Sequence, residues 1–253
     1  LMTSDKLYSI RTFEEIESEH LAYFTNHLSN EINLLEKVIN LQSDLLNGYL
    51  TIFHVYPHSS TDSVVLQAHV KSIYLLYNAH KLTLQGNYGI AKSLFRQIFE
   101  FQLICKYFSL INNDDEAQKW LDKRQLDVYN KILKRLEKPS KENLFDFWKL
   151  LCTQAHATTT SCQVASNIDI NRNEIRMVYY MILILLCIEG YSLGYLGKRK
   201  NMLLLKTLIG NELYDEFVTF KYDLKEAIAQ ITALLSNDGI ALIKDYKTNW
   251  TFR

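Results

Sequence analysis

Apolar residues return along this chain at mixed steps of three and four, the period at which one face of an α-helix repeats. From Phe13 to Asn47 no proline or glycine intervenes, and Ile16, Tyr23, Leu34, Val38, Leu41 and Leu45 keep that rhythm. A helix over 13–48 is predicted, opened by the capping-box spacing of Thr12 and Glu15 and closed by Gly48. Pro57 then forbids continuation, and Ser59, Ser60 or Thr61 supplies a cap for a helix over 62–85 with Val65, Leu66, Val70, Ile73, Leu76 and Tyr77 at its apolar positions.

The next predicted helix, 88–111, is apolar around more than half its circumference, with Lys92, Arg96, Glu100 and Lys106 gathered on the remaining strip. Such a helix belongs at the centre of a bundle. Further helices are read over 114–137, 141–157, 173–196 and 211–235, with 158–172 as a loop of small polar residues. Residues 237–253 alternate weakly and form a short irregular or β-like C-terminal arm. The fold class predicted is all-α, one domain built as a single bundle of about six or seven helices.

Composition agrees with this picture. Two prolines and eight glycines are too few for a turn-rich, many-stranded fold. Lys+Arg and Asp+Glu stand at 28 each, so no net field draws the whole molecule to nucleic acid or an anionic membrane. Charge is nonetheless segregated: 119–141 is basic, while Glu14, Glu15, Glu17 and Glu19 make the first helix acidic. The cysteines Cys105, Cys152, Cys162 and Cys187 form no Cys-x-x-Cys pair, and the first residues show no basic-then-apolar signal pattern, so reduced thiols and a cytoplasmic location are expected. The longest uncharged apolar run, Met177 to Ile188, ends at Glu189 and falls short of the roughly 18–20 residues that a membrane span needs. No membrane span is expected.

Candidate chemistry centres on three residues. Arg96 and Glu100 are spaced i,i+4, so their side chains meet on one helical face. His156 lies at the flank of the stripe Leu144, Phe147, Trp148, Leu151 and Ala155, near the end of its helix, where a protonated imidazole is favoured by the last carbonyls. Closing the helix is the structural role of His156; acid–base catalysis is the functional one. Metal and cofactor sites are not expected. Glu17 and His20 make a single Glu-x-x-His where di-iron bundles use two, and His54 and His58 are separated by Pro57. Gly190, Gly194 and Gly197 follow no strand and so do not make a phosphate loop.

The segments SLFRQIFEFQLICKYF and FWKLLCTQAHATTT, within Tyr88 to Ser161, resemble a broad, largely uncharacterised family of bacterial all-helical proteins found with mobile elements or phage-defence genes. Its pattern is S-L-x-R-x-x-x-E followed by a helix ending in histidine. The resemblance implies that Arg96, Glu100 and His156 converge between two helices. A more distant similarity runs to the helical ribonucleases of toxin and defence systems, but their Arg-to-His spacing within one helix is missing here; the nearest pair, Arg11 and His20, has eight residues between.

The function expected from the sequence is a non-catalytic helical interaction or regulatory protein, in a phage-defence or mobile-element setting as the resemblance implies, with a protein partner or a second copy of itself as a homodimer. Two alternatives stand beside it. One is metal-independent RNA cleavage, with His156 as base and Arg96 and Lys149 holding the phosphate. The other is a sensor binding a nucleotide or other small ligand between the helices of Arg96 and His156.

Overall fold

A computed structural model describes residues 10–55, 57–111, 113–122, 132, 140–155, 172–199, 202–212 and 214–216, with single positions at 219, 226, 229, 230 and 233. All regular structure among them is helical, as the apolar period requires. The helices are α1 (Ile10–His27), α2 (Ser29–Val55), α3 (Ser60–Leu84), α4 (Tyr88–Leu110), α5 (Asp114–Leu121), α6 (Ser140–Ala155), α7 (Arg172–Arg199) and α8 (Met202–Ile209). None of the described helices is long and apolar enough to cross a membrane.

The predicted first helix is in fact two. The break falls at Leu28, yet backbone bonds continue through it, from Leu28 N to Phe24 O and from Ile32 N to Leu28 O. Side chains compete for carbonyls just before it: Thr25 Oγ1 donates to Leu21 O, and His27 Nδ1 lies 3.1 Å from Tyr23 O. Such back-bonding bends a helix. Helix α1 also starts at Ile10, two residues before the expected cap at Thr12. Gly48 does not end α2 but is buried inside it, and the helix runs on to Val55 just short of Pro57.

Of the three cap candidates for α3, Ser59 takes the role. Its hydroxyl accepts from Asp62 N while the Asp62 carboxylate accepts from Ser59 N, a reciprocal capping box. Helix α5 reinforces that end: Asp114 Oδ1 accepts from both the amide and the hydroxyl of Thr61, at 2.9 and 2.7 Å. Two carboxylates thus stand at the positive end of the α3 dipole.

Helix α4 packs against α3, α6 and α7 and holds the middle of the molecule, with Phe95, Ile98, Phe99, Leu103, Tyr107 and Phe108 fully buried. Its polar strip is narrower than the sequence suggests, since Lys92 and Lys106 are buried and only Arg96 and Glu100 reach partly into solvent. In α7 every residue from Val178 to Leu186 is buried, and the helix continues through Gly190, Gly194 and Gly197 to Arg199. Helix α8 occupies a stretch for which no helix was predicted, and closes at Gly210 with φ 87°. The predicted loop 158–172 apart from Arg172, which begins α7, most of the predicted helix 211–235, the basic stretch 123–138 apart from Ile132, and the C-terminal arm lie outside the described residues.

The turn between α3 and α4 depends on Gly86, whose φ of 78° is left-handed. An added Cβ would also lie 2.6 Å from the His20 ring. Gly86→Ala is expected to cost about 2–4 kcal/mol, the left-handed penalty plus displacement of that ring. Urea unfolding measures it, and a loss under about 0.5 kcal/mol would show that the turn does not need glycine.

Candidate functional site

Arg96 and Glu100 meet as their spacing dictates, with Arg96 Nε 3.0 Å from Glu100 Oε1 and each side chain 27% exposed. Helix α6 covers this strip. The Arg96 guanidinium carbon sits 5.9 Å from the Trp148 ring, and Trp148 stacks on Phe145 at 6.2 Å. Cys152 lies close enough to feel both charges: partial burial raises its thiol pKa, Arg96 pulls it back, and Glu100 raises it again. Lys149 stays with its own helix, 4.2 Å over the Phe145 ring and 3.8 Å from Asp146. His156 lies outside the described residues, so the structure brings together two of the three predicted site residues. An anion reaching Arg96 would compete with a carboxylate already bound to it.

A second polar cluster, which sequence reasoning missed, is sealed in the core where α3, α4 and α7 meet. Glu189 projects from α7 between His69 and Ser72, one helical turn apart on α3. His69 Nδ1 lies 2.5 Å from Glu189 Oε1, and Ser72 Oγ donates to Oε2 at 2.6 Å. Gln102 of α4 donates to Leu185 O at 2.9 Å and to Ser72 Oγ at 3.4 Å, while Gln42 of α2 donates to Leu186 O at 2.9 Å. All five residues are wholly buried. Among the described residues, His69 Nε2, Gln42 Oε1 and Gln102 Oε1 have no hydrogen-bond partner.

The order of groups decides what this cluster does. In a hydrolytic triad the imidazole stands between carboxylate and hydroxyl and takes the nucleophile's proton. Here the carboxylate stands in the middle, so Ser72 donates to Glu189 directly and no imidazole stands between them, which is not the triad order. Cys105, fully buried with Sγ 3.6 Å from Val65 O, is likewise inert: burial drives its thiol pKa well up, and the nearby charge of Glu189 adds to that. What the cluster can do is fix register, because hydrogen bonds from α2, α3 and α4 all end on one stretch of α7. The sequence signal was available in outline: His69 and Ser72 fall on the apolar period of α3, and Glu189 is the carboxylate that closes the uncharged run.

Two more histidines turn inward. His20 Nδ1 bonds the Tyr88 hydroxyl at 2.9 Å and Glu17 accepts from Asn87 Nδ2 at 3.4 Å, so the Glu-x-x-His pair ties α1 to the start of α4. No group of metal-binding side chains occurs among the described residues. His80 is buried with Nε2 3.6 Å from Glu36 Oε1, too long for a hydrogen bond. Burial lowers its pKa below 6.5 and the Glu36 carboxylate opposes this only in part. The folded state therefore binds fewer protons at this position than the unfolded chain. Its contribution to stability is complete above about pH 6.5 and is lost as pH falls toward the folded pKa. Melting temperature measured from pH 7.5 to 5 is expected to fall less steeply in His80→Gln than in the wild type; equal slopes would refute this.

Compared with protein-family models, with curated proteins and with solved structures, the chain returns no match.

Proposed function

We propose that the chain is a non-catalytic helical interaction protein that docks another protein on the outward face of α3. One observation carries this reading. Val70, Tyr74 and Tyr77 repeat at steps of four and three, as core residues do, yet they are 39%, 62% and 43% exposed. The sequence places Val70 and Tyr77 on the buried face; α3 is instead apolar on two sides, one packed on α4 and α7 and the other turned to solvent. Tyrosine pairs a broad apolar ring with a hydroxyl at low conformational cost, which is why interfaces favour it. The internal polar residues serve the same reading, since a core locked in register holds α3 as a rigid platform. A cytoplasmic setting, a phage-defence or mobile-element context, and self-association through the C-terminal arm remain part of the proposal, on the sequence and the resemblance alone.

A photo-crosslinking amino acid at Tyr74, in the protein expressed in its own cells, is expected to give a discrete adduct whose partner residues are identified by mass spectrometry. The same group at the exposed Asn26 of α1 is the control. No adduct, or the same products at both positions, would overturn the reading.

A second reading keeps a specific support. Arg96 and Glu100 sit beside Cys152, which precedes His156 by four residues in the sequence. Under it the protein cleaves RNA without metal. Incubation with total RNA is expected to leave the RNA intact; cleavage lost in both Arg96→Ala and His156→Ala would establish the enzyme instead.

A further inference from the structure

Resting on the interaction role proposed above, we infer that the outward face of α3 takes an amphipathic helix flanked by carboxylates. Val70, Tyr74, Tyr77 and Lys81 follow one another at steps of four, three and four, a straight row about 16 Å long at the rise of an α-helix. A row of anchors at that spacing is what a helix laid alongside reads. The charged side chains that α3 itself exposes have one sign. Of the charged and titratable residues of α3 apart from its tyrosines, Asp62, His69 and His80 are buried, which leaves Lys71 and Lys81 exposed at either end of the row. Glu36, the carboxylate beside this end of α3, turns to His80.

A second copy of the chain fits this face poorly. Two copies of the row related by a two-fold axis, parallel or antiparallel, place lysines near lysines at both ends, and like charges at an interface are costly. A single-stranded nucleic acid fits poorly too. The Lys81 ammonium rests 4.5 Å from the Tyr77 ring centre and covers the face on which a base would stack. Aliphatic Val70 has no partner on a sugar–phosphate chain. A partner helix with leucine anchors and glutamate flanks meets every element of the row.

The full-length protein is titrated, by fluorescence anisotropy, into three labelled probes. These are a synthetic leucine-anchored helix with Glu flanks, the same peptide with Lys flanks, and a single-stranded oligouridylate. The Glu-flanked peptide is expected to bind about tenfold tighter than the Lys-flanked one. Lys71→Glu combined with Lys81→Glu reverses the preference, and Tyr74→Ser weakens the Glu-flanked peptide by about tenfold without lowering the melting temperature, since Tyr74 is exposed. Equal binding of the two peptides, a preference indifferent to the lysine changes, no binding of either, or tighter binding of the oligouridylate would each overturn the inference. A partner crosslinked at Tyr74 while the peptides fail removes the acidic helix and leaves the interaction role standing; no crosslink removes the role itself.

Discussion

Glu189→Ala is expected to lower the unfolding free energy by about 3–5 kcal/mol, because it removes the acceptor shared by two fully buried hydrogen-bonding groups and leaves a cavity in its place. The carboxylate accepts at both oxygens, from His69 and from Ser72, with every atom of the cluster out of water. Alanine leaves an imidazole N–H and a hydroxyl in the core with no acceptor, and a cavity beside them. The control is the apolar replacement His69→Leu, Ser72→Ala, Glu189→Leu, which removes donors and acceptor together. It is expected to lose less than the single change, because the penalty lies in the stranded groups and not in the absence of charge. Urea unfolding of the three proteins checks this. A triple variant less stable than Glu189→Ala by more than about 1 kcal/mol would mean that the pair itself stabilises the fold.

The second large effect is expected at Phe99→Ala, about 3–5 kcal/mol. Phe99 is fully buried on α4 and meets Phe147 of α6 edge-to-face, ring centres 5.1 Å apart and planes at 76°. Its removal opens a cavity between the two helices that carry Arg96 and Trp148. The urea midpoint should fall at unchanged slope, and Phe147→Ala should act in the same direction. A loss under about 1 kcal/mol in both variants would mean that α6 is held to α4 by other contacts.

The fold class was legible because the apolar period survives in every long helix, and α3, α4 and the core stretch of α7 fall within a few residues of where that period places them. The break at Leu28 was not, since it depends on Thr25 and His27 bonding backward while the apolar rhythm carries on. Gly48 misled for a related reason: a glycine is read as a stop, and here it lies buried in mid-helix. Of the candidate site, Arg96 and Glu100 were legible from spacing alone, because both stand on one helix. The cluster around Glu189 joins residues up to 144 positions apart, so each member announces only that a polar group sits on an apolar face. The outward row on α3 was hidden by the same pattern that revealed the helix, for period does not say which of two apolar faces meets the core.

The docking face proposed on α3 rests on tyrosine exposure, and hydroxyl-radical footprinting reads that exposure residue by residue. Tyr74 and Tyr77 are expected to be oxidised rapidly in the purified protein and protected in the protein within its own cells, while Tyr49, Tyr88 and Tyr179, all buried, stay unmodified in both. Equal oxidation of Tyr74 and Tyr77 in the two settings would contradict the assignment of that face to a partner.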